Sequence, residues 1–183
     1  MRPRFQANLS IPVRNHLTGE EYLLKRIDEV GLDPERRKQI ASICNEPRVY
    51  SWLFRDLLQN APYTEEKAIS FFEMGRDGWR KGEKFVFLLL RRNGDVAAAI
   101  DIKSNDPDDA EIGYWSSESH RGCMTNTTIE LVSLAESAGY RALFARTKKA
   151  NKDSIGVLQR AGFQFDSKNS KADDLYDFYR IRF

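Results

Sequence analysis

The chain opens on an alternation. Phe5, Ala7, Leu9, Ile11 and Val13 are separated by Gln6, Asn8, Ser10, Pro12 and Arg14, the period of a strand with one buried face. Leu23, Leu24, Ile27 and Val30 then keep helical spacing behind Thr18 and Glu21, which stand at capping-box distance, so the pattern predicts a helix ending at Gly31. Asp33 and Pro34 supply a cap and a first-turn proline for a second helix, which carries Ile40 and Ile43 and stops before Pro47. Residues 49–58 read as an aromatic-rich connection, after which Thr64, Glu65 and Glu66 open a helix on Ile69, Phe72 and Trp79.

Strand patterns follow. Residues 85–91 and 96–102 are apolar runs around Asn93-Gly94, a strong hairpin signal, and the turn at 105–109 leads into a third strand at 110–115. That makes an antiparallel meander. Past Trp115 the pattern changes to a helix at 125–138 on Ile129, Val132 and Ala135, closed by Gly139. A strand at 142–147, a helix at 153–160, a brief strand at 163–165 and a final strand at 174–183 complete the chain. Strand, helix, strand at this spacing implies a parallel crossover. The expectation is one α/β domain over residues 1–183, with a mixed sheet flanked by helices.

Composition narrows the function. The longest apolar run, residues 85–90, is far short of the roughly 20 residues a bilayer span needs, and residues 1–10 carry no leader-like apolar stretch. A cytoplasmic protein without membrane contact is expected. Lys and Arg total 29 against 27 Asp and Glu, too even for a nucleic-acid footprint. Cys44, Cys123, His16 and His120 are scattered, with no CxxC or HExxH, so no metal is expected.

Two stretches carry candidate chemistry. Glu111-Ile112-Gly113-Tyr114-Trp115 feeds a loop, residues 119–126, that opens a long helix; the unpartnered first-turn N–H groups and positive dipole end of such a helix suit a phosphate, with Arg121 as an added donor. Asn151 or Asp153 caps the next helix, which passes Ser154 and ends at Ala161-Gly162-Phe163.

From about Asn45 onward the sequence resembles the GNAT superfamily of acyl-coenzyme A dependent N-acetyltransferases, in the branch that includes the ribosomal-protein N-terminal acetyltransferases. The residues that carry the likeness, in order, are Asn45-Glu46-Pro47-Arg48-Val49-Tyr50 with Trp52, Pro62-Tyr63-Thr64-Glu65-Glu66 with Ala68, the strand Glu111 to Trp115, His120-Arg121-Gly122, and Asn151, Ser154, Gly162 and Phe163. The resemblance implies a GNAT fold whose parallel strand pair splays apart, with acetyl-coenzyme A as co-substrate. By that likeness the pantetheine arm would pair with backbone near Tyr114, Trp115 and Ser116. The diphosphate would meet Arg121 and the N–H groups of Gly122, Cys123, Met124, Thr125 and Asn126, and Asn151 would bond the pantetheine or a nearby backbone group. Ser154 would sit near the thioester sulfur and donate to the departing thiolate, because the tyrosine some relatives use is Leu158 here.

The family loop usually has glycine where this chain has Met124 and a small residue where it has Asn126. If position 124 is left-handed, a non-glycine costs roughly 1–2 kcal/mol, and its side chain would also crowd a phosphate. Glu111 and Asp101 are the candidate general bases. Weaker candidates are His120 on phosphate, Lys148, Lys149 and Lys152 on the 3′-phosphate, Asp174 and Asp177 at the acceptor, and Trp52, Phe54 and Tyr63 as a pocket cover. The expected reaction is direct acetyl transfer to a primary amine of a small molecule or peptide, with the branch likeness favouring a protein N-terminus. Rival readings are a GNAT-fold ligand- or protein-binding module without catalysis and an unrelated α/β binding module. A monomer or homodimer is expected.

Overall fold

The computed structural model describes residues 2–183. Among these residues the strands are β1 (Ser10–Arg14), β2 (Glu21–Arg26), β3 (Phe85–Arg91), β4 (Val96–Ile102), β5 (Ala110–Ser116), β6 (Ala142–Lys148), β7 (Gln164–Phe165) and β8 (Tyr176–Arg182). They form one sheet in the order β1-β2-β3-β4-β5-β6-β8-β7, and every neighbouring pair is antiparallel except β5–β6. The helices are α1 (Pro34–Cys44), α2 (Pro47–Val49, continued by a wide helical turn over Tyr50–Phe54), α3 (Glu65–Lys81), α4 (Cys123–Ala138), α5 (Lys152–Arg160) and α6 (Ser167–Lys171). None of them is long and apolar enough to cross a membrane.

Strand alternation assigns the layers. Trp115 of β5 packs against Phe71 of α3, while its neighbour Tyr114, on the other face, reaches Ser154 of α5. Helices α1 and α3 therefore cover one side of the sheet, and α4 with α5 the other. Between them β3 is buried from Phe85 to Leu90 and β4 is buried except at Asp101.

The expected helix at 18–31 is strand β2 and a short 3-10 turn, Ile27–Glu29. The chain reverses at Asn15, whose Oδ1 accepts the N–H groups of Leu17 and Thr18 at 2.9 and 3.3 Å. Thr18 Oγ1 takes the N–H of Glu20 instead of starting a helix, and β2 pairs with both β1 and β3, burying Tyr22 and Leu24. Two strand partners outweigh the local helical spacing. The first strand is also shorter than its alternation, because Asn8 turns left-handed (φ 56°) and Phe5 leaves for a ring cluster with Trp79, Phe85 and Phe87. Residues expected as a connection at 49–58 begin with helical turns, and α6 interrupts the stretch before the last strand.

Helix α4 buries Ala135 and packs Val132 against the core as expected, but its buried face is rotated away from Ile129. Ile129 is exposed, and the core side carries Leu131, Ala135 and Ala138 with Thr127 and Thr128. These threonines can be buried because each hydroxyl donates to a carbonyl one turn back, Cys123 O at 2.9 Å and Met124 O at 2.8 Å.

The parallel crossover creates the cleft. β4 and β5 stay paired out to Ala98 and Ser116, whereas β5 and β6 pair only at Ala110 with Leu143, Glu111 with Phe144 and Ile112 with Ala145. Beyond Ile112, β6 stays with β8, and one backbone edge of β5 from Gly113 to Ser116 has no strand beside it.

Candidate active site

The wedge between β5 and β6 widens into a cleft of about 570 Å³. Its walls are the free edge of β5, the loop and first turn leading into α4, the end of β6 and the start of α5; Arg48 and Trp52 close it from the α2 segment. Tyr114, Trp115, Ser116, Arg121, Gly122, Met124, Thr125, Asn151, Ser154 and Glu111 all line it. Cys123, Asn126 and Asp101 are not among its lining residues.

The α4 entrance clarifies the role of Met124. The left-handed residue is Gly122 (φ 97°), which is the N-cap, and Met124 lies inside the helix. The strain expected at position 124 therefore does not arise, and the conformational demand falls on the glycine the sequence retains. A Cβ at Gly122 would also fall 2.8 Å from Leu17 Cγ and closer still to Asn15 Oδ1. No side chain caps α4. Its first-turn N–H groups are thus left to an incoming partner. Cys123 is fully buried, and burial pushes its thiol up to about 12. Asn126 Nδ2 donates to Arg14 O at 2.6 Å, tying α4 to β1.

Charge at the mouth is mutual. Arg121 reaches Asp153 at 3.3 Å, and Arg48 pairs with the other oxygen of the same carboxylate. Arg160 Nε donates to Thr125 Oγ1 at 3.1 Å. Lys148 pairs with Asp56 at 3.0 Å, whereas Lys149 turns away to Asp173 O. His120 lies outside the cleft, 3.0 Å from Tyr22 Oη; burial holds it below the ordinary histidine value of 6.5, against the pull of Glu20. Tyr63 is buried against Phe54, so of the expected aromatic cover only Trp52 lines the cleft, and neither Asp174 nor Asp177 does.

Deeper in, Tyr114 Oη stands 2.8 Å from Ser154 Oγ and 3.2 Å from Ser154 O. Burial pushes the Tyr114 phenol well above its ordinary value, so it keeps its proton at neutral pH. Asn151 Oδ1 caps α5 by accepting the Ser154 N–H at 3.2 Å, which fixes the serine in the first turn.

The two candidate bases separate. Glu111 lines the cleft, and its Oε1 accepts from Lys103 Nζ at 2.7 Å and Arg146 Nε at 3.3 Å. Both cations bond the same oxygen. Asp101 is paired with Lys84 at 3.1 Å beside Gly113, where burial pushes its carboxyl above the ordinary range despite Lys84 and Lys103. Among the described residues no cluster of three or more His, Cys, Asp or Glu is placed to hold a metal ion. Arg48, Lys103 and Arg146 are cleft residues that sequence reasoning missed, since nothing local marks a basic side chain as facing a distant wedge.

No curated protein matches the chain at a significant level. Solved structures do match in fold. Mycobacterium smegmatis RimJ in complex with a coenzyme A disulfide superposes with TM-score 0.75 at 16% identity, covering 100% of this chain and 90% of that one. The Salmonella typhimurium acetyl transferase that modifies the N-terminal serine of ribosomal protein L7/L12 gives 0.70 at 16%, covering 94% and 99%. The microcin C7 self-immunity acetyltransferase MccE, in complex with acetyl-CoA and AMP, gives 0.68 at 16%, covering 89% and 92%. At such identities the likeness speaks for the fold. A sequence model of the family described as the acetyltransferase (GNAT) domain matches residues 30–164, and with the splayed parallel pair it places this chain in that family.

Proposed function

We propose that this acetyltransferase domain transfers an acetyl group from acetyl-coenzyme A directly to a primary amine, and that the acceptor is the α-amine of a peptide or protein. The observation that carries the proposal is the uncapped start of α4 behind Gly122, opening onto the same cleft as the free edge of β5. Amide donors at a helix start suit a diphosphate, and a free strand edge suits an amide-bearing arm. Gly122, Met124 and Thr125 would supply backbone N–H groups, with Arg121 released from Asp153 to add charge. Gly113 to Ser116 would hold the arm, and Asn151, whose Oδ1 is engaged, would offer its Nδ2. When bound, the thioester supplies the acetyl group and a thiolate leaving group.

The chain's own groups divide the proton work. An amine must be neutral to attack, which at pH 7 costs about 4.6 kcal/mol for a lysine but only about 1–1.4 kcal/mol for an α-amine. Lys103 and Arg146 surround Glu111 and disfavour a third cation beside it, so they help keep an entering amine neutral. Both bond Oε1, leaving Oε2 to take the amine's proton directly or through water. When Tyr114 donates to Ser154 Oγ rather than to the Ser154 carbonyl, the serine's own hydrogen is free for the departing sulfur. The small deprotonation cost favours an α-amine over lysine, while the cationic surround of Glu111 acts on either amine alike. The solved neighbour that modifies an N-terminal serine supports the same choice.

Thiol release measured with acetyl-coenzyme A against peptides, free lysine and polyamines tests this reading. Peptides with a free N-terminus turn over and N-blocked, lysine-containing peptides do not; the reverse preference overturns the acceptor assignment. Glu111→Gln lowers kcat about 100-fold with KM little changed if the carboxylate takes the proton.

A further inference from the structure

The loop that opens α4 is braced from a distant part of the chain, the turn between β1 and β2. Asn15 is 2% exposed, and its Nδ2 donates to the Arg121 carbonyl at 3.0 Å while its Oδ1 holds the turn together. His16 Nδ1 lies 2.6 Å from the Gly122 carbonyl, and its backbone N–H reaches the same oxygen at 3.4 Å. A carbonyl can only accept, so Nδ1 carries the proton. The two carbonyls that precede α4 are therefore both held by the hairpin, across 106 residues of sequence.

Peptide planarity turns that grip into an orientation. In a trans peptide the C=O of one residue and the N–H of the next lie in one rigid plane and point in opposite directions. Fixing the carbonyls of Arg121 and Gly122 toward the hairpin fixes the N–H groups of Gly122 and Cys123 away from it. The family match begins at residue 30, so the hairpin lies outside the matched segment.

We infer that Asn15 and His16 are positioning residues for the coenzyme A diphosphate: they lock the peptide planes of the α4 entrance so that its amide donors are aimed before the ligand arrives. Donors fixed in advance need not be ordered on binding. The inference rests on the cleft being the coenzyme A seat. A residue that only stabilises the turn would weaken every ligand of the cleft alike, whereas a positioning residue acts on ligands that carry the diphosphate.

The test compares coenzyme A, titrated by calorimetry, with pantetheine, which has no diphosphate, titrated by NMR at the same pH. His16 is exposed, so its variants are expected to fold. His16→Ala raises the Kd for coenzyme A roughly five- to tenfold, the worth of one hydrogen bond, and leaves pantetheine unchanged. His16→Asn, whose side-chain amide can donate to the same carbonyl, recovers most of the loss. Asn15→Ala shows the same selectivity, with its melting temperature followed alongside. Equal losses for both ligands, or no recovery by His16→Asn, overturn the inference. If the wild type binds pantetheine and coenzyme A equally, no diphosphate is being positioned and the inference fails. If it binds neither, the reading of the cleft itself fails.

Discussion

Helices α1 and α4 begin in opposite ways. At α1, Asp33 is extended and its carboxylate accepts the Arg36 N–H at 2.7 Å, while Pro34 removes one donor from the first turn. Helix α4 begins at a left-handed glycine with no side-chain cap. Asn151 caps α5 and Asp166 caps α6 in the same way, whereas α2 and α3, like α4, begin without a side-chain cap. What sets α4 apart from the uncapped α3 is that its start opens onto the cleft, which no residue of α3 lines. A helix start satisfied from within serves folding; one held open and braced from outside serves a ligand.

Substitutions can break that contrast, and the largest effect is expected at Gly122. Gly122→Val places a side chain at a positive φ and drives it into Asn15 and Leu17. Stability falls by about 2 kcal/mol, and coenzyme A affinity falls more than tenfold. Denaturant unfolding and calorimetry read the two, and a fully active variant removes the glycine from the site. Asp33→Ala, the matched change at α1, costs about 1 kcal/mol of stability and leaves acetyl transfer unchanged. A parallel loss of coenzyme A affinity there would show that the two helix starts do not differ in role.

Met124→Gly sharpens the contrast from inside α4. Because Met124 is helical and buried, glycine costs roughly 1 kcal/mol of stability or more and brings no gain in affinity. A large gain would mean that the methionine obstructs the diphosphate and that the loop is impaired. The smallest effect concerns His120, at the end of the short turn Glu118–His120 that precedes Arg121 and Gly122. Its folded value lies below 6.5 because of burial, so its contribution to stability is present above pH 6.5 and is lost as pH falls through the folded value. Melting temperatures followed downward from pH 7.5 decline more for the wild type than for His120→Gln; parallel profiles contradict the assignment.

Local chemistry was readable wherever it decided the structure. The Asn93-Gly94 hairpin, the Asp33-Pro34 helix start and the α5 cap at Asn151 each depend on residues within one turn, and each forms as expected. The region 18–31 was misread because its apolar spacing fits two periods, and pairing with β1 and β3 decided between them. Asp101 and Glu111 look alike in sequence as strand carboxylates. Only the packing separates one at Lys84 from the other in the cleft. The grip of Asn15 and His16 on the α4 entrance had no sequence signal at all, since it spans 106 residues and involves carbonyls that every residue possesses.

A cocrystal structure with coenzyme A tests the central claim most directly. Diphosphate oxygens are expected within about 2.7–3.2 Å of amide nitrogens from Gly122 to Thr125, with the arm running along Gly113 to Ser116. Phosphates bound elsewhere, with the α4 amides facing only water, would contradict it.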